Sequence, residues 1–391
     1  MSDISGSRIL IVDDAPENID ILSNALQSFK CIAALNGEKA LKIAKGSNPP
    51  DLILLDIMMP GMDGFEVCRQ LKENPDTQDI PVIFITGKTD VEDETRGLDL
   101  GATDFIPKPI STPVVYARVK NHLEFSQAKK KLKIQYEESV LQNKFITDSI
   151  NYAKRIQTAI LPSAGDFQNL FPDSFLLFLP KDIVSGDFYW CGEHEGKKIV
   201  AVADCTGHGV PGAFMSMIGN TLLNDIVYAK QISKPDSILA ELDSGIIDEL
   251  NKDLHEGTLD GMDISVCMID QQTEKIYFAG AYRPLYYQYN GELFEVKGTK
   301  KSIGDNRKSV VFELHEIPFQ KNLLLYLFSD GFTDQNDSEG KKFGSGKLKQ
   351  ILSEHADKAI QEQFQILHKA FLEHKSSEAQ RDDVTFLGIR I

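Results

Sequence analysis

Two sets of side chains in this chain have the types and placement needed for phosphoryl chemistry. The first is Asp13, Asp14, Asp56, Thr86 and Lys108, each at or just after the end of a short apolar run. Three carboxylates brought together repel and raise one another's pKa unless a cation neutralises them. A hard divalent ion such as Mg²⁺ suits oxygen ligands of this kind. The hydroxyl and the lysine could then hold the oxygens of a phosphoryl group carried on one of the acids. The second set is Asp187, Asp204, Asp330 and Asp382, each beside a glycine or at the edge of an apolar run. A lone aspartate in such a place is usually a turn former or a helix cap. Four recurring this way point to a shared site. Carboxylates without His or Cys partners suit Mg²⁺ or Mn²⁺ rather than zinc. Two such ions can activate a water and clamp an in-line displacement at phosphorus.

The elements that must carry the first set alternate in type. Residues 9–12, 52–55 and 82–85 read as buried strands, and 17–29, 64–72 and 91–100 as helices. That alternation predicts a doubly wound parallel sheet. Function in such sheets sits outside the carboxyl ends of the strands, which is where these five residues fall.

The motifs I-L-I-V-D-D, L-I-L-L-D-I-M-M-P-G-M-D-G, F-I-T-G and D-F-I-P-K-P occur in that order over residues 7–125. In them the segment resembles the receiver domain of two-component response regulators. The resemblance implies that Asp56 accepts phosphate from a cognate histidine kinase and that Asp14 binds Mg²⁺ directly. Asp13 would act through water, and the Met58 carbonyl would complete the protein ligands. It further implies that Thr86 and Lys108 contact the phosphoryl group and that Phe105 is the switch aromatic. The Lys108–Pro109 bond is a candidate cis peptide, since only X-Pro bonds adopt that form cheaply.

After Pro113 the chain has no Pro or Gly until Pro162, and its Lys, Glu, Gln and Ala content favours helix. A heptad path runs through Phe125, Ala128 and Leu132 and again through Ile146, Ala153, Ile156 and Ile160. Between them it meets Gln135, Ser139 and Gln142, where a coiled coil wants apolar residues. Two helical pieces meeting at a weak middle, or a change of register, are expected. The linker is either a solvated spacer or a signalling helix that pairs the chain as a homodimer.

Beyond residue 163 strand patterns come in blocks and helix patterns in pairs, which predicts a layered α-β-β-α sandwich. Residues 262–268 alternate in the manner of a strand buried on one face. Asn290-Gly291 between two strand patterns marks a hairpin. The motifs V-S-G-D-F-Y, V-A-D-C-T-G-H-G, F-S-D-G-F-T-D and R-D-D-V-T resemble those of PPM-type metal-dependent Ser/Thr protein phosphatases. The bacterial branch typified by SpoIIE and RsbU is the closer match. N-Y-A-K-R-I-Q-T-A-I-L-P resembles the helix that enters that branch's catalytic domain.

By that resemblance Asp204 bridges two Mn²⁺ or Mg²⁺ ions and the Cys205 carbonyl is a backbone ligand to one. Asp187 binds one ion, and Asp330 and Asp382 the other; Asp383 is the less favoured of its pair, because the motif places its ligand three residues before the Thr. Thr206 stands where eukaryotic relatives carry a general-acid histidine, and His208, two residues on, becomes the candidate for that role. No arginine is evident for gripping substrate phosphate, and Lys181 is the candidate contact. Asp260 or Asp263 could serve a third ion. The substrate implied is a phosphorylated anti-sigma-factor antagonist in a partner-switching pathway. The rival expectation is a receiver-controlled scaffold that sequesters a partner without turnover.

The predicted organisation is a receiver at 1–125, a helical linker at 126–163 and a phosphatase domain at 164–391. A length of 391 residues suits two or three domains. Its 42% hydrophobic and 26% charged content is that of a globular protein. No apolar run approaches the roughly 20 residues of a membrane helix, and the N-terminus lacks the pattern of a signal peptide. Five scattered cysteines without a C-x-x-C pair argue against disulfides or structural zinc and for a reducing compartment. The net charge of −16 disfavours nucleic acid as a partner. A cytoplasmic protein is expected.

Overall fold

The computed structural model describes residues 4–87, 91–250, 260–306 and 310–391. It divides into two compact units, Met1–Asn143 and Lys144–Ile391.

The first unit runs β1 (Arg8–Val12), α1 (Pro16–Ala25), β2 (Lys30–Ala34), α2 (Gly37–Ala44), β3 (Leu52–Asp56), α3 (Gly64–Glu73), β4 (Val82–Thr86), α4 (Val91–Asp99) and β5 (Asp104–Pro107), followed by helix α5 (Thr112–Ile160). The strands form one sheet, ordered β2-β1-β3-β4-β5, with every pairing parallel. Because helices cover both faces, the central strands are apolar on both. Leu10, Ile53, Leu55 and Phe84 pack toward α2 and α3 with Leu41, Val67 and Leu71. Ile9, Leu54 and Ile85 pack on the other face with Leu22 of α1 and Val115 and Val119 of α5. Side-chain caps start two of the helices: Asn36 accepts from the Lys39 N–H and Asp63 from the Glu66 N–H.

Helix α5 is continuous from Thr112 to Ile160, which rules out two separate pieces and leaves the alternative of a change of register within one helix. Gln135, Ser139 and Gln142 interrupt the apolar seam without breaking the backbone. Only Gly or Pro would do that at an exposed position.

The second unit runs α6 (Ala164–Leu170), β6 (Ser174–Leu179), β7 (Phe188–His194), β8 (Lys197–Cys205), α7 (Gly209–Asn224), a π-helical turn (Asp225–Ala229), α8 (Pro235–Leu250), β9 (Met262–Asp270), β10 (Lys275–Ala281), β11 (Leu285–Tyr289), β12 (Glu292–Val296), β13 (His315–Ile317), β14 (Leu324–Phe328), α9 (Gly331–Asp334), α10 (Ser345–Glu354), α11 (Ile360–Lys375) and β15 (Val384–Arg390). Two antiparallel sheets result, ordered β13-β10-β9-β8-β7 and β12-β11-β14-β15-β6. Their inner faces meet through Val200, Val202, Cys267, Leu325 and Leu387. Outside, α7 and α8 cover Ile199, Ile264 and Val266 with Leu223, Ile238 and Leu242. On the far side α10 and α11 cover Tyr326 and Phe386 with Leu348, Leu367 and Phe371. The fold is an α-β-β-α sandwich. Strand β9 is therefore buried on both faces, not one, because Cys267 and Ile269 face the second sheet. The β11–β12 hairpin turns at Asn290 (φ 50°) and Gly291 (φ 82°), as its sequence predicts. Among the described residues no helix is long and apolar enough to cross a membrane.

Candidate functional site

In the first unit the parallel sheet brings its strand ends to one edge. Asp13 and Asp14 follow β1, Asp56 ends β3, Thr86 ends β4 and Lys108 follows β5. Asp13, Asp14 and Asp56 each offer an oxygen within 4.8 Å of the others. Asp13 and Asp56 are buried, whereas Asp14 is open to solvent. Lys108 Nζ lies 3.1 Å from Asp56 Oδ1 and 3.3 Å from Asp13 Oδ2. The Ala15 N–H and the Asn18 amide also donate to Asp13. Burial pushes the Asp56 carboxyl up and the Lys108 hydrogen bond pulls it back, but the charges of Asp13 and Asp14 leave it raised. The Phe105 ring stacks on Phe84 at 5.5 Å, the Met58 side chain is exposed, and Thr86 is buried. The Lys108–Pro109 bond is cis.

In the second unit strand register does the gathering. Phe188 of β7 pairs with Ala203 of β8, so Asp187 and Asp204 lie side by side at one end of the first sheet. Phe328 of β14 pairs with Phe386 of β15, which brings Asp330 and the Asp382-Asp383 pair together at an end of the second. Asp204, Asp330 and Asp382 line one cleft of about 310 Å³, together with Thr206, His208, Asp263, Arg283 and the Cys205 residue. Asp187 sits behind it, 3% exposed, and its Oδ2 has no hydrogen-bond partner.

The charges in this cleft are under-neutralised. Burial, then the neighbouring Asp204 charge, holds the Asp187 carboxyl well above the ordinary range, with only partial relief from the Ser329 hydroxyl. Asp204 is raised in the same way by burial and by Asp330, against the pull of Arg283. Asp382 is raised too, chiefly by burial. An all-oxygen donor set with an orphaned buried carboxylate oxygen fits a hard divalent cation.

Asp382 and Asp383 separate cleanly. Asp382 faces the cleft. Asp383 is buried and accepts the backbone N–H groups of Lys181 and Gly186, each at 2.7 Å. It thereby closes the loop that carries Asp187. Lys181 is fixed through its backbone and is not among the residues lining the cleft. The same loop is gripped by Gln157 of α5, whose amide donates to the Ser185 carbonyl (2.6 Å) and accepts its N–H (3.3 Å). Gly186 has no alternative: a Cβ there would stand 2.5 Å from the Gly207 carbonyl oxygen.

Arg283 is the residue that the sequence did not disclose. Its Nη2 lies 2.9 Å from Asp330 Oδ2 and 3.1 Å from Asp263 Oδ2, and its Nη1 3.9 Å from Asp204. Ser302 donates to the other oxygen of Asp263 at 2.6 Å. The only signal was an arginine ahead of Pro284 in a turn between two strand patterns. Asp260 is exposed and does not line the cleft, whereas Asp263 does.

Comparison with known proteins agrees with this division. The response regulator receiver domain model matches residues 9–120, and the model for Stage II sporulation protein E (SpoIIE) matches residues 194–391. The second match spans half of the chain, which belongs to the SpoIIE family and carries a receiver domain ahead of its PPM-type phosphatase domain. The SiaA-PP2C domain of Pseudomonas aeruginosa superposes with a TM-score of 0.59 at 34% identity, covering 64% of this chain and 98% of that one. A probable cyclic di-GMP phosphodiesterase of Vibrio cholerae is 49% identical over 130 residues, which are 33% of this chain and 29% of that protein. Response regulator PleD of Caulobacter vibrioides is 45% identical over 121 residues, 30% of this chain and 26% of that protein. The chain thus spans less than a third of the length of either curated relative.

Proposed function

We propose that this chain is a response regulator in which phosphorylation of Asp56 by a histidine kinase controls a Mn²⁺- or Mg²⁺-dependent phosphoserine/phosphothreonine protein phosphatase. The observation that carries the reading is the convergence of Asp187, Asp204, Asp330 and Asp382, with their charge unbalanced, at one end of a SpoIIE-family sandwich. Asp204 would bridge two ions, with the Cys205 carbonyl and Asp187 on one side and Asp330 and Asp382 on the other. When bound, such a pair supplies a nucleophilic water and offsets the charge of the phosphoryl group. The chain's own residues hold the acids in register, shield Asp187 from solvent and set the shape of the cleft.

At the receiver, Asp14, Asp56 and the Met58 carbonyl would hold Mg²⁺, with Asp13 acting through water. Thr86 and Lys108 would take the phosphoryl oxygens and Phe105 would respond as the switch aromatic. The receiver is assigned to residues 1–125, the linker to 126–163 and the phosphatase to 164–391. The exposed Phe125, Leu132, Ile146, Ile156 and Ile160 on α5 support pairing of two chains through the linker. The Gln157 grip on Ser185 supports a route by which that helix sets the Asp187 loop. Likeness to the SpoIIE branch favours a phosphorylated anti-sigma-factor antagonist as substrate.

The test is hydrolysis of p-nitrophenyl phosphate and a phosphoserine peptide by the purified chain with Mn²⁺. Activity abolished by chelator and by Asp204→Asn supports the reading, and activity indifferent to both defeats it. If a phosphodonor changes turnover equally in the native chain and in Asp56→Asn, the receiver is not the regulator.

A further inference from the structure

The turn between β8 and α7 places His208 at the edge of the cleft. His208 stands between Gly207 (φ 84°) and Gly209 (φ 68°), two left-handed positions that favour glycine. It is the cap residue of α7 by position, but its side chain makes no cap hydrogen bond. Instead His208 Nδ1 lies 2.8 Å from Asp182 Oδ2. Gly209 packs against that same oxygen, which a Cβ there would approach to 3.3 Å. Asp182 belongs to the loop that Asp383 closes and Gln157 grips. It is therefore carried by the same loop as Asp187, held by those hydrogen bonds.

A carboxylate on one ring nitrogen fixes an imidazole's tautomer and orientation. With Nδ1–H directed at Asp182, the free nitrogen is Nε2, on a residue that lines the cleft with Asp204, Asp330 and Asp382. We propose that Asp182 is a positioning residue that orients His208 to protonate the leaving oxygen of the phosphomonoester.

This rests on the phosphatase reading. In the step, the oxygen of the attacking water forms a new bond to phosphorus. The bond from phosphorus to the serine Oγ breaks, and its electron pair goes to Oγ. Oγ takes the proton from Nε2 of the imidazolium. One water proton stays on the product as hydrogen phosphate, and the other restores the imidazolium. Serine alkoxide is a poor leaving group and depends on that proton, whereas p-nitrophenolate leaves readily without it.

The experiment compares kcat/KM for a phosphoserine peptide and for p-nitrophenyl phosphate in the Mn²⁺-loaded full chain. A general acid is worth about 10²–10⁴-fold, so His208→Ala should lose about 100-fold or more on the peptide and at least about tenfold less on the aryl ester. Asp182→Asn should lose about tenfold on the peptide, and the double variant should be no worse than His208→Ala alone, because the two act as one unit. Equal losses on both substrates, or additive losses in the double variant, overturn the inference. A wild-type chain inert toward both substrates overturns the phosphatase reading and the inference with it. Imidazole ¹⁵N NMR of the Mg²⁺ form supplies a readout apart from turnover. At a pH high enough that the ring is neutral, wild type should show the Nδ1-protonated tautomer and Asp182→Asn a mixture, while a mixture in wild type overturns the assignment.

Discussion

Both units gather aspartates at strand ends, but they differ in how those acids are balanced and how far they are enclosed. At the receiver the counter-charge is Lys108, an ammonium on a flexible stem that touches two acids at 3.1 and 3.3 Å, beside an Asp14 open to solvent. In the cleft the protein's cation is Arg283, a largely enclosed guanidinium shared among three acids, with a fourth, Asp187, buried behind them. The difference teaches what each site is built to do. A cation on a flexible stem can shift when charge is added to the carboxylate beside it, even where that carboxylate, as Asp56, is itself buried. A guanidinium spread over three carboxylates instead fixes their spacing.

The sharpest way to break this comparison is to neutralise one acid in each unit. Asp204→Asn is expected to reduce cleft turnover by more than about 10³-fold, the scale on which an essential member of a catalytic unit is lost. It should leave labelling of the receiver by acetyl phosphate intact. Loss of both would mean that the two sites are not chemically separate, and loss of neither that Asp204 is not needed for cleft turnover. Next in size is Gly186→Ala, whose new methyl would meet the Gly207 carbonyl oxygen at 2.5 Å. Overpacking of this kind costs about 2 kcal/mol, and displacement of Asp187 should lower turnover with it. Denaturant unfolding of the chain and Mn²⁺ titration read the two effects.

The counter-charges give a third contrast. In chelator, Arg283→Gln should destabilise the second unit by about 3 kcal/mol, since it strips three acids of their shared cation. Lys108→Ala removes the cation from two acids rather than three, but both are buried, and should cost about 2 kcal/mol. Equal losses in thermal unfolding would erase the distinction.

The smallest effect concerns Asp104, a receiver carboxylate outside the acid site. Burial raises it, but hydrogen bonds from Arg118, His122 (2.9 Å) and the Phe105 N–H outweigh that and leave its pKa lowered. A carboxylate with a depressed folded pKa stabilises the fold above its unfolded pKa, and that stability is lost as pH falls through the folded value. Asp104→Asn should therefore cost a fraction of a kcal/mol, roughly 0.5, at neutral pH. The gap from wild type should close below about pH 4. A gap that persists in acid would assign the loss to packing rather than charge.

Much of this was legible in the sequence. The alternation of apolar runs with helical periods sufficed for the parallel sheet, and the acids at its strand ends followed from it. The pairing of Asp187 with Asp204 was legible as motif, while its cause, the β7–β8 register, was not, because β7 carries no clear alternation. Arg283 and Asp182 escaped because their partners lie far along the chain and on other elements. A turn arginine and a loop aspartate have no local pattern that distinguishes them from solvated residues. The continuity of α5 was left open between a break and a change of register, because tertiary seam and backbone propensity gave different answers at Gln135 and Ser139; propensity decided against the break.

The Asp382-Asp383 dipeptide carries a further consequence, for the order in which the protein becomes competent during its synthesis. One carboxylate faces the cleft and its neighbour knots the loop at Lys181 and Gly186. Both precede β15, the strand that sits between β14 and β6. A ribosome-bound chain emerges N-terminus first, so the receiver can be folded and open to its phosphodonor while the sandwich still lacks an interior strand. The cleft completes its set of acids only when this dipeptide arrives. A nascent chain is therefore able to receive a signal before it can act on one.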